Sequence, residues 1–423
     1  MERTMKKYKF LHPFFFLLLL SLSLQSCSGI GNNNNNTTNA DNFQQMSTGT
    51  NGSTIGINKT DQAVFKGKIY FTLDHNLYVL DGTRVPRRLT HGMTVLDPAV
   101  SPDGKWIAFT VRYKNYSDLV YMSANGGPLH TVVTGNGQFF RVGDGTNNFY
   151  WFTQPAWSAD SKTLLFLSDL QKMFFWKGLG NPFNSAYFPD LQVFSLPIGQ
   201  PELTAARALN TAQTIAYADF GDGGDRDPSY RPHHNDQIVY THYTYNTGGT
   251  QQLVQIFLED PNAITNNPGK YTPGVEGSGI DPSVAITPKD TNKQCLEPAF
   301  SPDGNFIAYI QRQDNTHMGL YVMPVAENVT QNPNDPATAK KALVPYNNKS
   351  ALLQSGQYIS QPFWSPDGKQ IAYLSYSNNV YDIWLANVSL NNKTGTYKMA
   401  SDPVQLTSAN GHLDGESRPF WEA

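Results

Sequence analysis

The sequence predicts an all-β fold: a six-bladed β-propeller of four-stranded blades, with the closing blade shared between N- and C-terminal strands. Three observations predict it. A turn-centred unit recurs along the chain, its copies are spaced by about one blade plus a loop, and a strand missing at the front is supplied at the end.

The unit is clearest in Asp97-Pro98-Ala99-Val100-Ser101-Pro102-Asp103-Gly104-Lys105-Trp106-Ile107-Ala108-Phe109. It returns from Glu297-Pro298 to Tyr309 and from Gln361-Pro362 to Tyr373, in worn form from Gln154-Pro155 to Phe166 and from Asp227-Pro228 to Tyr240, and begins again at Arg418-Pro419-Phe420-Trp421. Ser-Pro-Asp-Gly is a type I turn sequence. Proline presets φ at the second position, Asp suits the third, and Gly takes the fourth. Aromatic and β-branched residues flank the turn, so each copy reads as a hairpin. The prolines at 98, 155, 228, 298, 362 and 419 are 57, 73, 70, 64 and 57 residues apart. A four-stranded blade takes roughly 40–50 residues, which leaves each period one blade and an inserted loop.

Residues 67–72 align with the strand that follows the turn, yet no Pro-X-Trp strand precedes them. Arg418-Pro419-Phe420-Trp421 is that strand, so Trp421 is expected beside Ile69 and Tyr70. Such closure removes the open edges of a linear array. Third strands recur at Leu119-Val120-Tyr121-Met122, Leu191-Gln192-Val193-Phe194, Leu253-Val254-Gln255-Ile256, Leu320-Tyr321-Val322-Met323 and Asp382-Ile383-Trp384-Leu385. No amphipathic pattern of three or more helical turns stands out beyond the N-terminal segment. Insertions break the period at 134–152, 169–190 and 259–294.

The composition suits this fold. Only 15% of the 423 residues are charged, against roughly 25% in an average soluble protein, and turn formers take up the difference. A formal net charge of −3 favours neither nucleic acid nor an anionic membrane surface. Two cysteines make no disulfide framework.

Arg3, Lys6, Lys7 and Lys9 precede an apolar run from Phe14 to about Leu24, the arrangement of an export signal. The run is shorter than the about 20 residues of a spanning helix. It ends in Leu24-Gln25-Ser26-Cys27, which resembles the lipobox of bacterial lipoproteins. The resemblance implies removal of residues 1–26 and a covalent lipid on Cys27. Ser28 after the cysteine, by analogy with enteric bacteria, points to the outer membrane. Residues 27–60 are rich in Asn, Thr, Ser and Gly and read as a flexible tether. The propeller is expected over 61–423.

The repeat, at 98–109, 298–309 and 362–373 with weaker copies at 155–166 and 228–240, resembles the propeller repeats of the TolB family. The resemblance covers about residues 62–423. The chain departs from that family in having a low-complexity tether where TolB carries an N-terminal α/β domain, and in looking lipid-anchored. It implies a protein-binding face and a partner that is an envelope protein or peptide, a peptidoglycan-associated lipoprotein among them. The expectation is a monomeric propeller that meets the membrane through its lipid alone.

Peptidase relatives of such propellers need a Gly-X-Ser-X-Gly elbow, which this sequence lacks, so no catalytic residue is assigned. The strongest chemical constellation is Asp222, Asp225 and Asp227 followed by His233, His234 and His242. Carboxylates among glycines suit Ca²⁺, and neighbouring histidines suit Mn²⁺ or Zn²⁺; the plainer reading is a polar loop leading into a worn blade. That region carries the alternative function, a carbohydrate-active or metal-dependent lyase. Phe174-Phe175-Trp176 is a candidate partner-binding anchor or a cap over a blade edge. Cys295 is expected as a small buried residue.

Overall fold

The computed structural model describes residues 42–47, 54–142, 146–172, 190–218, 221–265, 281–327 and 336–423. The expected lipidation site Cys27 and the candidate anchor aromatics Phe174, Phe175 and Trp176 lie outside the described residues.

The fold is an all-β propeller with four-stranded blades. From the axis outward, one blade orders Phe420–Glu422, Lys68–Leu73, Asn76–Leu80 and Arg87–Arg88. The next orders Thr94–Val100, Trp106–Arg112, Ser117–Ser123 and His130–Thr134, and a parallel strand Leu203–Thr204 extends it. Then follow Phe152–Trp157, Thr163–Ser168, Gln192–Pro197 and Gln213–Ala216. The inner strands of the remaining blades are Asp225–Tyr230, Cys295–Phe300 and Ile359–Trp364.

The seam pairs as the repeat requires. Ile69 lies opposite Trp421 and Tyr70 opposite Phe420 in an antiparallel ladder. Ring packing supports it, with Trp421 edge-on to Phe65 at 5.9 Å and near Phe363 at 6.1 Å.

The expected number of blades is corrected. The described residues hold seven sheets of three or more strands, not six. The additional sheet orders Phe43–Ser47, Thr54–Asn58 and Thr407–Ser408. Two of its strands fall inside 27–60, where the composition pointed to a tether. Alternation explains them: Ile55 and Ile57 are fully buried, against Leu374, Ile383 and Leu406. Two isoleucines at period two were enough to recruit a strand from a polar segment. Asn58 secures it by donating from Nδ2 to the Gln405 carbonyl at 2.7 Å.

Short helices also occur, at Ala205–Thr211, Pro261–Thr265, Pro336–Ala342 and Val344–Lys349. None exceeds two turns, which is why no helical period was visible. No helix of the described residues is long and apolar enough to cross a membrane.

The four-residue turns form as their chemistry dictates. Ser101 Oγ donates to Asp103 Oδ1 at 2.6 Å and accepts from the Trp106 amide at 3.0 Å, while Gly104 takes φ of 69°. Ser301 and Ser365 repeat the arrangement, with Gly304 and Gly368 at 70° and 67°. In the worn copy at 158 the left-handed position is held by Ser161, φ 60°.

Candidate functional site: the central funnel

Five of the inner strands carry a polar residue followed by proline in their interior, and the sixth, Phe420–Glu422, has the pair just before it. Proline lacks an N–H to give the ladder, so it is tolerated in a sheet at a bulge. A bulge is what forms. The register slips between Leu96 and Ala99, Thr153 and Ala156, Arg226 and Ser229, Leu296 and Ala299, and Ser360 and Phe363. The residue before the proline takes a left-handed backbone in all five: Asp97 (φ 54°), Gln154 (49°), Asp227 (55°), Glu297 (55°) and Gln361 (49°). That conformation costs a non-glycine residue roughly 1–2 kcal/mol, and proline disfavours helical backbone in the residue before it. Repetition of this strain around one axis points to a use for the side chains it aims.

These residues bond in neighbouring pairs round the ring, chiefly from the backbone amide of one to the side chain of the other. Arg418 donates its amide to Asp97 Oδ1 at 2.9 Å. Asp227 donates its amide to Gln154 Oε1 at 2.6 Å and accepts from Gln154 Nε2 at 3.1 Å. Gln361 donates its amide to Glu297 Oε2. Threonines brace the ring: Thr153 Oγ1 donates to Asp97 Oδ2 at 3.0 Å, and Thr241 Oγ1 donates to Asp227 Oδ2 at 3.2 Å while accepting the Glu297 amide at 3.0 Å.

Three carboxyl groups therefore share one water-poor ring with a single guanidinium. Burial pushes the Asp97 carboxyl up, with Arg418 opposing. Burial pushes Asp227 up as well, against Arg418 and Arg226. Glu297 rises to about 8, first through burial and then through the nearby negative charge of Asp227. Like charges that cannot all ionise together behave this way.

Above part of this ring lies a funnel of about 330 Å³. Asp227, Glu297, Gln361 and Arg418 form its polar floor; Trp157, Tyr230, Phe300 and Trp364 wall it; Pro102, Pro302 and Pro366 of the four-residue turns rim it, with Arg231 and His233 from the corresponding turn of the copy after Asp227. The walls are held rigid across blades. Trp157 Nε1 donates to the Ala99 carbonyl at 2.9 Å, and Trp364 Nε1 to the Ala299 carbonyl at 3.1 Å. A concave, mostly apolar cavity with a few convergent polar groups is the usual form of a binding site.

The six residues of the proposed metal loop are dispersed rather than gathered. Asp227 belongs to the ring. His233 and His234 occupy the turn of the worn third copy, where His233 takes φ 64° and His234 faces Asp236 at 3.5 Å. Asp225 and His242 alone meet, with Nδ1 and Oδ1 2.8 Å apart and Asp225 fully buried. Asp222 offers its carbonyl to Gln252 Nε2 at 2.8 Å. Burial pushes the His242 pKa down, but bonding to Asp225 and its charge outweigh that and leave it raised. Among the described residues no three His, Cys, Asp or Glu side chains are grouped to hold a metal ion. The spacing of these residues in sequence is short, but strand alternation and the bulge at Asp227 send them to different places. Cys295 is buried as expected, its thiol pushed up to about 12 by burial.

The pre-proline ring is the site that sequence reasoning missed. Its signal was present: all six copies carry a polar residue before the first proline, where an inward position of a propeller would ordinarily be apolar.

No protein-family model matches the chain. Among solved structures, it is similar to TolB from Acinetobacter baumannii, at 15% identity and TM-score 0.51, over 84% of this chain. The chain spans 66% of that TolB's length. It is also similar to a chain described as TolB from Agrobacterium tumefaciens (13% identity, TM-score 0.44, 84% of this chain and 94% of that one). An oligogalacturonate lyase in complex with manganese is similar at 13% identity and TM-score 0.43, over 84% of this chain and 82% of that one. Repeat, blade construction and seam together with the first of these likenesses place the chain in the TolB-like β-propeller fold.

Proposed function

We propose that the chain is a lipid-anchored propeller of the bacterial cell envelope that holds a protein or peptide segment in its central funnel. The funnel is the observation that carries this reading. It is rigidly walled, largely apolar along its walls and polar at the floor, with Arg231 and His233 among its lining, the profile of a pocket for a side chain of a macromolecular partner. The lipobox at Cys27 supplies the anchor, and residues between it and the first strand supply the reach. A peptidoglycan-associated lipoprotein is one partner of the expected kind, and the outer membrane is the expected location. The test is capture after cross-linking of intact envelopes, beside the variant Cys27→Ala. The reading predicts a recovered protein partner and transfer of C27A from the membrane to the soluble fraction. It is overturned if no protein is recovered, or if C27A stays with the membrane.

The second reading, a metal-dependent lyase, has one observation on its side: the buried Asp225–His242 pair. Metal content of the purified protein decides it, since less than one Mn or Ca per chain removes its basis.

A further inference from the structure

Most polar groups of the funnel are already occupied. Each carboxylate oxygen of Asp227 accepts a hydrogen bond, from Gln154 Nε2 at 3.1 Å and from Thr241 Oγ1 at 3.2 Å. Arg231 gives Nε to the Gly304 carbonyl at 2.7 Å and Nη1 to Gln237 Oε1 at 2.6 Å. The Gln361 amide oxygen is sealed away. Two groups of the floor stay open. Glu297 accepts the Gln361 backbone amide on Oε2, and among the described residues nothing bonds its Oε1. The Arg418 guanidinium gives only Nη2, to the Pro155 carbonyl at 3.3 Å, which leaves Nε and Nη1 free among the described residues. None of these free atoms is sealed from solvent, and both residues line the cavity. Burial and the charge of Asp227 raise the Glu297 pKa while Arg418 opposes them, so the guanidinium is near. Yet no ion pair joins the two among the described residues. A donor and an acceptor, each anchored at its other end, stand close without meeting.

Charge narrows the ligand. Arg231 and Arg418 share the lining with Asp227 and Glu297, and Asp97 lies beside them, accepting the Arg418 backbone amide. Whether or not Glu297 holds its proton, these five groups sum to within one charge of neutral. The site selects neither a cation nor an anion. It calls for a neutral group that offers an acceptor to the guanidinium and suits Glu297 as well. A carboxamide does both. Its oxygen accepts from Arg418. Its nitrogen donates to Glu297 Oε1 when that carboxyl is ionised, and its oxygen accepts from Oε1 when the carboxyl is protonated. A hydroxyl puts both roles on one atom, whereas the amide spreads them over two, as separated partners require. On a side chain the amide also brings a methylene stem for the tryptophan and proline walls, and of the two amide residues glutamine has the longer one.

We propose that the funnel receives a glutamine side chain of the bound segment, its amide set between the Arg418 guanidinium and Glu297 Oε1. This rests on the reading of the chain as a peptide-binding scaffold and names the residue that the scaffold selects.

The test uses the chain purified from envelopes in a non-ionic detergent, acetylated and amidated tripeptides, and the intrinsic fluorescence of the wall tryptophans at neutral pH. The probes are Gly-Gln-Gly, the isosteric acid Gly-Glu-Gly, Gly-Lys-Gly, Gly-homoserine-Gly for a hydroxyl, and Gly-norleucine-Gly for a bare stem. All five share one backbone, so differences report the side chain. The glutamine peptide is expected to bind at least about fivefold more tightly than each other probe, as one or two net hydrogen bonds allow. Arg418→Met and Glu297→Met, with folding verified by circular dichroism, are each expected to bring glutamine and norleucine within about twofold, since each leaves one side of the amide unbonded. Glu297→Gln, which keeps a neutral hydrogen-bonding group there, is expected to retain the preference. Another probe equal to or tighter than glutamine, absence of binding by all five, a preference that survives either methionine variant, or its loss in E297Q overturns the inference. Envelope cross-linking of wild type and R418M separates the two claims. A partner recovered equally with both leaves the scaffold standing and removes the glutamine; no partner with either removes the scaffold.

Discussion

The Trp421 indole nitrogen donates to the Lys66 carbonyl at 2.7 Å, joining residues 355 positions apart. This bond lies at the place where the ends of the propeller chain become neighbours. Glu422 adds to it: its Oε2 accepts from the Tyr70 hydroxyl at 2.8 Å and from Lys68 Nζ at 3.3 Å.

The seam should be fragile to loss of that indole. Trp421→Ala removes a buried ring and strands the Lys66 carbonyl, and such truncations cost about 3–5 kcal/mol. Trp421→Phe keeps most of the packing and should cost nearer to 1 kcal/mol, the price of one hydrogen bond. Denaturant unfolding of the two variants checks the ordering; equal losses would show that the hydrogen bond, not the ring, closes the propeller.

Gly67 carries the same seam. It takes φ of 83°, and a Cβ there would lie 2.0 Å from the Glu422 carbonyl oxygen. Gly67→Ala must push the last strand away and should destabilise by more than 2 kcal/mol, given both the overlap and the left-handed backbone. Gly82→Ala, where a Cβ meets nothing within 4 Å, is the control and should change stability by less than about 0.5 kcal/mol. Thermal unfolding of both variants makes the comparison.

Glu297 should make stability depend on pH in an unusual direction. Its folded pKa of about 8 lies above the ordinary value, so between about pH 4.5 and 8 the folded state holds a proton that the unfolded state has lost. Stability from this group is then complete below about pH 4.5 and declines toward pH 8, by at most about 1.4 kcal/mol per pH unit. Glu297→Gln cannot lose that proton. The difference in unfolding free energy between E297Q and wild type should grow with pH over this window and level off above it. A constant difference would mean that Glu297 titrates as an exposed carboxyl.

Much of the fold was legible because it is local chemistry repeated. Ser101, Pro102, Asp103 and Gly104 dictate a turn whatever surrounds them, and repetition at blade spacing indicates how turns stack. The strand at Thr54–Asn58 was obscured because only Ile55 and Ile57 mark it amid polar residues, and their burial depends on Leu374 and Leu406, which lie far along the chain. The candidate metal loop shows the opposite case. Asp225, Asp227 and His233 are close in sequence, but the bulge at Asp227 and the turn at His233 separate them in space.

From the order of its residues alone, this protein was committed to hairpins, to their repetition, and to a last strand that pairs with Ile69 and Tyr70, since turn propensity and alternation act over a few residues at a time. Only the tertiary structure decided that six pre-proline side chains, each about sixty residues from the next, face one axis. There they share so little water that Glu297 holds its proton and Gln361 keeps an acceptor without a donor. Charge density and desolvation are properties of a place, and the place exists only once the blades have closed around it.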